Sequence, residues 1–226
     1  MLLASFEGGP VGTIGYLLAD HRGGSAVVID APQDTAPAMV EQAGRWQTPI
    51  RFLLTTHPHW DHFLDNAELL RRSGAKWGLH REGMPMLAMP QLRMFGLDQE
   101  MPEGEPNFFL EEGKPIQAGD LKLEILRCPG HCPGSVVFFE PSENTLFTGD
   151  VLFAGTIGRT DLPGGDMKTL VRSIREKLLP LGDDVRVLAG HGPETTIGKE
   201  RRQNPFLAGQ RLLPSKSGVA KLSGFW

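Results

Sequence analysis

Three histidines and an aspartate fall within six positions in Thr56-His57-Pro58-His59-Trp60-Asp61-His62, just after an apolar run that ends at Leu54. Imidazole nitrogen combined with carboxylate oxygen suits zinc, iron(II) or manganese. On an extended loop His57 and His59 project to the same side, because side-chain direction repeats every two residues. Asp61 and His62 open the next helical pattern and turn toward a different point, so one short loop can serve two neighbouring metals. Three further donors share a pattern in which an apolar run ends, a small residue follows, and a ligand type stands at the mouth. Residues 123–126 lead to Cys128-Pro129-Gly130-His131, Leu146-Phe147 to Thr148-Gly149-Asp150, and Val187-Leu188-Ala189 to Gly190-His191-Gly192. If these runs are strands of neighbouring sheets, their ends bring His131, Asp150 and His191 to the rim that carries the 57–62 loop. Five of the seven histidines then belong to one expected metal centre.

The elements that must position these residues alternate along the chain. Thr13–Ala19 and Ala26–Ile29 read as a hairpin around Arg22-Gly23-Gly24, where glycine supplies the positive φ of a tight turn. Further strands are predicted at Ile50–Leu54, 75–79, 121–126, 136–139, 145–148 and 185–189. Several are apolar without alternation, which predicts burial on both faces. Helices are predicted over 35–46, 61–73 and 166–179, the last capped by Asp166. The alternation implies an α/β sandwich with sheets in the middle and helices outside.

The 226 residues fit one domain over 1–226, and no composition break marks a linker. The stretch 81–113 is rich in methionine and proline (Met84, Met86, Met89, Met94 and Met101, with Pro85, Pro90, Pro102 and Pro106). It reads as a surface insertion, with an adaptable apolar lid as the alternative, and 208–226 reads as a C-terminal tail. Lys+Arg 23 against Asp+Glu 27 gives a net charge of -4, which argues against nucleic acid as a partner. Two cysteines exclude a disulfide framework and point to a reducing compartment. No apolar run reaches membrane-spanning length, and Met1-Leu2-Leu3-Ala4-Ser5 is too short for a signal-peptide core. A cytoplasmic protein acting on a small molecule is expected, with its oligomeric state open.

On these motifs the chain resembles the metallo-β-lactamase superfamily, in its glyoxalase II-like branch. Residues 57–62 fit the superfamily's H-x-H-x-D-H motif, and Gly130-His131, Gly149-Asp150 and Gly190-His191 fit its later ligand positions in order. The run 146–165 and the segment 190–207 resemble small bacterial glyoxalase II-like hydrolases. The resemblance implies an αββα four-layer sandwich holding two divalent metals, zinc first and iron or manganese as alternatives. It implies that His57, His59 and His131 hold one metal, that Asp61, His62 and His191 hold the other, and that Asp150 bridges them. Asp30, after Val27-Val28-Ile29, would brace the metal loop without binding metal. A metal-bridging hydroxide would then attack a small thioester such as S-lactoylglutathione, one metal stabilising the oxyanion. Asp61 is also a candidate proton acceptor when the second site is empty.

Departures from the family bear on the substrate. Arg159 and Asp161 stand where glutathione-specific members carry a lysine and a tyrosine, and Gly192-Pro193 follows the last histidine where they have a tyrosine. Arg159 could hold a substrate carboxylate bidentately or pair with Asp161 to brace its loop. Cys128 and Cys132 flank His131, where a redox or ligand role competes with the expected one of small buried side chains. Gly158-Arg159-Thr160-Asp161 is shared with the persulfide dioxygenases of the superfamily. A mononuclear iron enzyme using His57, His131 and Asp150 is therefore the alternative activity.

Overall fold

Strands buried on both faces need cover on both sides, and the computed structural model, which describes residues 1–89, 92 and 104–208, supplies it. One sheet holds β1 (Leu2–Gly8), β2 (Thr13–Ala19), β3 (Ala26–Ile29), β4 (Ile50–Leu54), β5 (Lys76–His80) and β6 (Phe108–Leu110) in that order. The second contains β7 (Ile116–Ala118), β8 (Leu121–Arg127), β9 (Val136–Glu140), β10 (Thr145–Gly149), β13 (Arg186–Ala189) and β14 (Thr195–Thr196), in the order β14-β13-β10-β9-β8-β7. Between β10 and β13, β11 (Leu152–Phe153) and β12 (Thr156–Ile157) form a separate hairpin.

Among the described residues the helices are α1 (Ala36–Trp46), α2 (Trp60–Phe63), α3 (Asn66–Ser73), α4 (Met84–Leu87), α5 (Met167–Ser173) and α6 (Ile197–Gln203). None among the described residues is long and apolar enough to cross a membrane.

Pairing of Leu17 with Val28 and of Leu18 with Val27 in the β2–β3 hairpin divides the apolar residues between two cores. Leu17 and Val28 face Met39, Trp46 and Leu69 of α1 and α3, whereas Leu18 and Val27 face Leu123, Phe138 and Phe147 of the other sheet. On the far side Val137, Leu146 and Val187 pack against Leu170, Val171 and Ile197 of α5 and α6. Helix, sheet, sheet, helix: the architecture is the expected αββα sandwich.

The structure changes three sequence expectations. The predicted helix 61–73 is broken into α2 and α3, because the loop after β3 takes over its hydrogen bonds. Ala31 N–H donates to His62 O at 2.9 Å and Asp65 N–H donates to Ala31 O at 3.0 Å. The predicted helix 166–179 keeps its Asp166 cap, which accepts from Thr169 N–H at 2.7 Å, but widens into a π-helical turn over Ile174–Leu178. Within the stretch 81–113, Phe108–Leu110 forms β6, which pairs with β5 and extends the first sheet. Pro90, Met94, Met101, Pro102 and residues 209–226 of the tail lie outside the described residues.

Strand direction positions the site. β3 and β4 run parallel, as do β10 and β13, and β8 runs antiparallel to β9, which is itself antiparallel to β10. The residues after the carboxyl ends of β4, β8, β10 and β13 carry the predicted donors, and Asp30 follows β3.

Candidate metal centre

Two trios of donor atoms meet at this rim. In the first, His131 Nε2 lies 3.2 Å from His57 Nε2 and 2.7 Å from His59 Nδ1. In the second, Asp61 Oδ2 lies 3.4 Å from His62 Nε2 and 3.3 Å from His191 Nε2. Asp150 stands between them with its two oxygens divided. Oδ2 is 3.9 Å from His57 Nε2 and 3.6 Å from His131 Nε2, while Oδ1 is 3.2 Å from His62 Nε2 and 3.6 Å from His191 Nε2. The structure therefore brings all seven predicted ligands together.

At His57, His62 and His131, hydrogen bonds at the outer ring nitrogen fix which nitrogen faces inward. A carbonyl only accepts, so the 2.8 Å contact of His131 Nδ1 with Arg159 O puts the proton on Nδ1 and frees Nε2. His62 Nδ1 likewise donates to Asp30 Oδ2 at 2.8 Å. The Thr56 hydroxyl donates to Asp30 Oδ2 at 2.7 Å, leaving its lone pair to accept from His57 Nδ1 at 3.0 Å. Asp30 also takes the Thr56 N–H at 2.7 Å, so it braces the loop as expected. Its own backbone is left-handed, with φ 58°.

Charge separates the two trios. Burial, reinforced by neighbouring histidines, holds His57 well below the ordinary imidazole range and His59 at about 3, so both are neutral. Burial also keeps His131 low. Burial opposes ionisation of Asp61, but His62 and His191 outweigh it and hold the carboxyl at about 2. Asp150 is held well below the usual carboxylate range, His62 and His191 again overcoming burial. Neutral imidazoles and ionised carboxylates are the states that bind cations, so His57, His59, His131 and the two carboxylates are ready as they stand. Against burial, the carboxylates raise His62 and His191, and a cation bound there would displace their protons. The fit is also marked by buried atoms: His62 Nε2 and Asp150 Oδ1, both turned to the centre, have no hydrogen-bond partner among the described residues. Divalent metal binding follows from this donor set.

Two glycines permit the approach. A Cβ on Gly190 would stand 2.6 Å from both Asp150 Oδ1 and His62 Cε1. Gly149 has φ +47°, and a Cβ there would stand 2.5 Å from Thr56 Oγ1.

Other predicted residues fall as follows. The Arg159 guanidinium pairs with both Asp161 carboxylate oxygens at 2.8 and 2.9 Å, so the bracing pair is formed. Cys128 and Cys132 are buried free thiols, each pushed up to about 12 by burial. His21 joins Asp20 and Asp120 in a separate cluster, where the Asp20 carboxylate accepts backbone N–H groups of His21, Ser25 and Asp120 and so braces a turn. Thr13, Thr56 and the Arg159 carbonyl are site residues that the motifs did not reveal; for Thr56, a small polar residue directly before His57 is the available signal.

The sequence model of the metallo-β-lactamase superfamily matches residues 8–191, and the chain belongs to that superfamily. Hydroxyacylglutathione hydrolase GloC of Haemophilus influenzae is 41% identical over 189 residues, covering 81% of this chain and 87% of that protein. The chain is thus a metallo-hydrolase of the glyoxalase II-like branch. Among solved structures, the BLEG-1 B3 metallo-β-lactamase superposes with TM-score 0.84 and 35% identity, covering 92% of this chain and 100% of that one. TTHA1623 in a di-iron-bound form gives TM-score 0.79 and 34% identity, covering 90% and 100%. ETHE1 from Myxococcus xanthus gives TM-score 0.79 and 25% identity, covering 93% and 86%.

Proposed function

We propose that the protein is a two-metal hydrolase that cleaves a small thioester, with S-lactoylglutathione as the first substrate to test. The observation that carries the reading is the division of Asp150, whose Oδ2 faces His57 and His131 while Oδ1 faces His62 and His191. His57, His59 and His131 would hold one cation, Asp61, His62 and His191 the other, and Asp150 would span both. Two divalent cations held there, zinc first and iron or manganese as alternatives, would supply an acidified water and polarise the carbonyl of the substrate. Asp61 and Asp150 contribute fixed negative charge because both carboxyls stay ionised through the neutral range. Asp30 and the Arg159 carbonyl hold the outer protons of His62 and His131, so the inner nitrogens are the ones turned toward the cations. The leaving thiol has an ordinary pKa of about 8.5, so expulsion of thiolate needs no strong acid from the chain. The name of GloC supports the thioester class.

A mononuclear iron persulfide dioxygenase is the second reading, drawn from the Gly158-Arg159-Thr160-Asp161 segment and kept in view by the likeness to ETHE1. Elemental analysis of the purified protein, followed by S-lactoylglutathione hydrolysis and oxygen uptake with glutathione persulfide on the same sample, separates the two. Two divalent metals per chain with hydrolysis is the expected result. One iron per chain with oxygen uptake would replace the hydrolase reading.

A further inference from the structure

One strand that supplies no donor to the centre holds both Asp61 and the turn carrying His191. Thr13, the first residue of β2, is fully buried, and its hydroxyl donates to Asp61 Oδ2 at 2.6 Å. The next residue, Ile14, donates its N–H to Gly190 O at 2.7 Å. Asp61 Oδ2 is the same oxygen that faces His62 Nε2 and His191 Nε2 at 3.4 and 3.3 Å. The histidine trio on the other side is supported elsewhere, by Thr56 at His57 and by the Arg159 carbonyl at His131.

A carboxylate oxygen offers two lone-pair directions, and a donor on one fixes the rotation of the group and thereby aims the other. We propose that Thr13 is a positioning residue for one half of the centre. Its hydroxyl sets the plane of the Asp61 carboxylate and so sets cation affinity at Asp61, His62 and His191 independently of the His57, His59 and His131 half. The proposal rests on the two-cation reading above. The hydroxyl contributes no electron pair to a cation and touches no substrate; it acts through Asp61.

The test is competition between the zinc-loaded full chain and a chromophoric chelator, for wild type, Thr13→Val, Thr13→Ser and Asp61→Ala. Valine keeps the branched shape that suits β2 and removes the hydroxyl alone. Asp61→Ala identifies which of the two zinc steps belongs to that half. Thr13→Val should weaken the same step by about 10–100-fold and leave the other unchanged. Thr13→Ser should restore wild-type affinity, which a purely packing role for Thr13 would not predict. Equal weakening of both steps, or failure of serine to restore the affected one, overturns the assignment. Two wild-type steps with neither moved by Thr13→Val overturn it while leaving the two-cation reading standing. Saturation of the wild type at one zinc overturns that reading and Thr13's role together.

Discussion

Asp30 accepts the Nδ1 proton of His62 at 2.8 Å through the same Oδ2 that takes the Thr56 hydroxyl at 2.7 Å, while Oδ1 takes the Thr56 N–H. Three donors meet one buried carboxylate, and an amide in its place must set its own NH2 against at least one of them. Asparagine tolerates the left-handed backbone at this position, so Asp30→Asn isolates the hydrogen bonding from backbone strain. Asp30→Asn should cost about 2–4 kcal/mol in urea unfolding and weaken zinc binding about 10–100-fold. Unchanged zinc affinity would show that His62 keeps its inward nitrogen without Asp30.

Chelation should lower thermal stability more than removal of an ordinary surface ion does, since it returns His62 Nε2 and Asp150 Oδ1 to the buried, unpartnered state described above. A cation at a hundredfold excess over its Kd stabilises the fold by about 2.7 kcal/mol per site. For a chain of this size that corresponds to roughly 5–10 °C in Tm. Calorimetry with and without chelator, followed by zinc add-back, measures it. A Tm that does not move would mean that the trios bind no cation tightly.

Arg159 has two functions that a single substitution separates. Its carbonyl holds His131, whereas its exposed guanidinium holds Asp161. Arg159→Ala keeps the carbonyl, so metal content should be unchanged, and loss of the exposed ion pair should cost less than about 1 kcal/mol. If the guanidinium also receives a substrate carboxylate, KM should rise roughly tenfold with kcat unchanged. An unaltered KM would leave Arg159 as a brace for its loop.

The donor cluster was legible in the sequence because its information is local. His57 to His62 lie on one loop, Asp150 and His191 come within two residues of the mostly apolar strands β10 and β13, and His131 follows the alternating strand β8 by a short turn. Apolar runs without alternation also foretold sheets covered on both faces. Thr13 was invisible because its partner Asp61 lies 48 positions away and no spacing rule joins them. The break between α2 and α3 was equally hidden, since it depends on Ala31, a residue of another loop. Short strands such as β6 and β14 exist by pairing with neighbours already in place, and three or two residues carry too little pattern to be read alone.

The buried thiol and phenol predict the alkaline limit of stability. Burial pushes Cys128 up from 9.0 to about 12 and pushes Tyr16 up as well, its hydroxyl donating to Ala189 O at 2.6 Å. A folded pKa above the unfolded one means that the folded state keeps the proton longer. The contribution is therefore whole below pH 9 and is lost as the pH rises toward 12. Urea midpoints should fall across that window. Iodoacetamide at pH 8 should leave both cysteines unmodified until the chain is unfolded, and rapid labelling of the folded protein would contradict the burial argument.

Glu200 on α6 holds the tip of the hairpin whose two ends meet the metal centre. It is 1% exposed; Oε1 accepts the Thr195 hydroxyl at 2.6 Å, and Oε2 accepts Gly155 N–H and Asn204 Nδ2, both at 2.8 Å. Asn204 Nδ2 also reaches Thr156 O at 2.9 Å, so α6 grips the turn between β11 and β12 on both sides. Asp150 precedes this hairpin and Arg159 follows it, with the Arg159 carbonyl on His131. Glutamine can keep its carbonyl on Gly155 and Asn204 and turn its NH2 to Thr195, whose hydroxyl accepts as well as donates. Glu200→Gln should therefore cost only about 1 kcal/mol, whereas Glu200→Ala, which takes the acceptor from the Thr195 hydroxyl, the Gly155 N–H and Asn204 Nδ2 together, should cost about 3 kcal/mol. Urea unfolding gives the two costs, and zinc affinity should fall with alanine but hold with glutamine. If glutamine proves as damaging as alanine, it is the negative charge of Glu200, rather than the acceptors it offers the hairpin, that holds this side of the site.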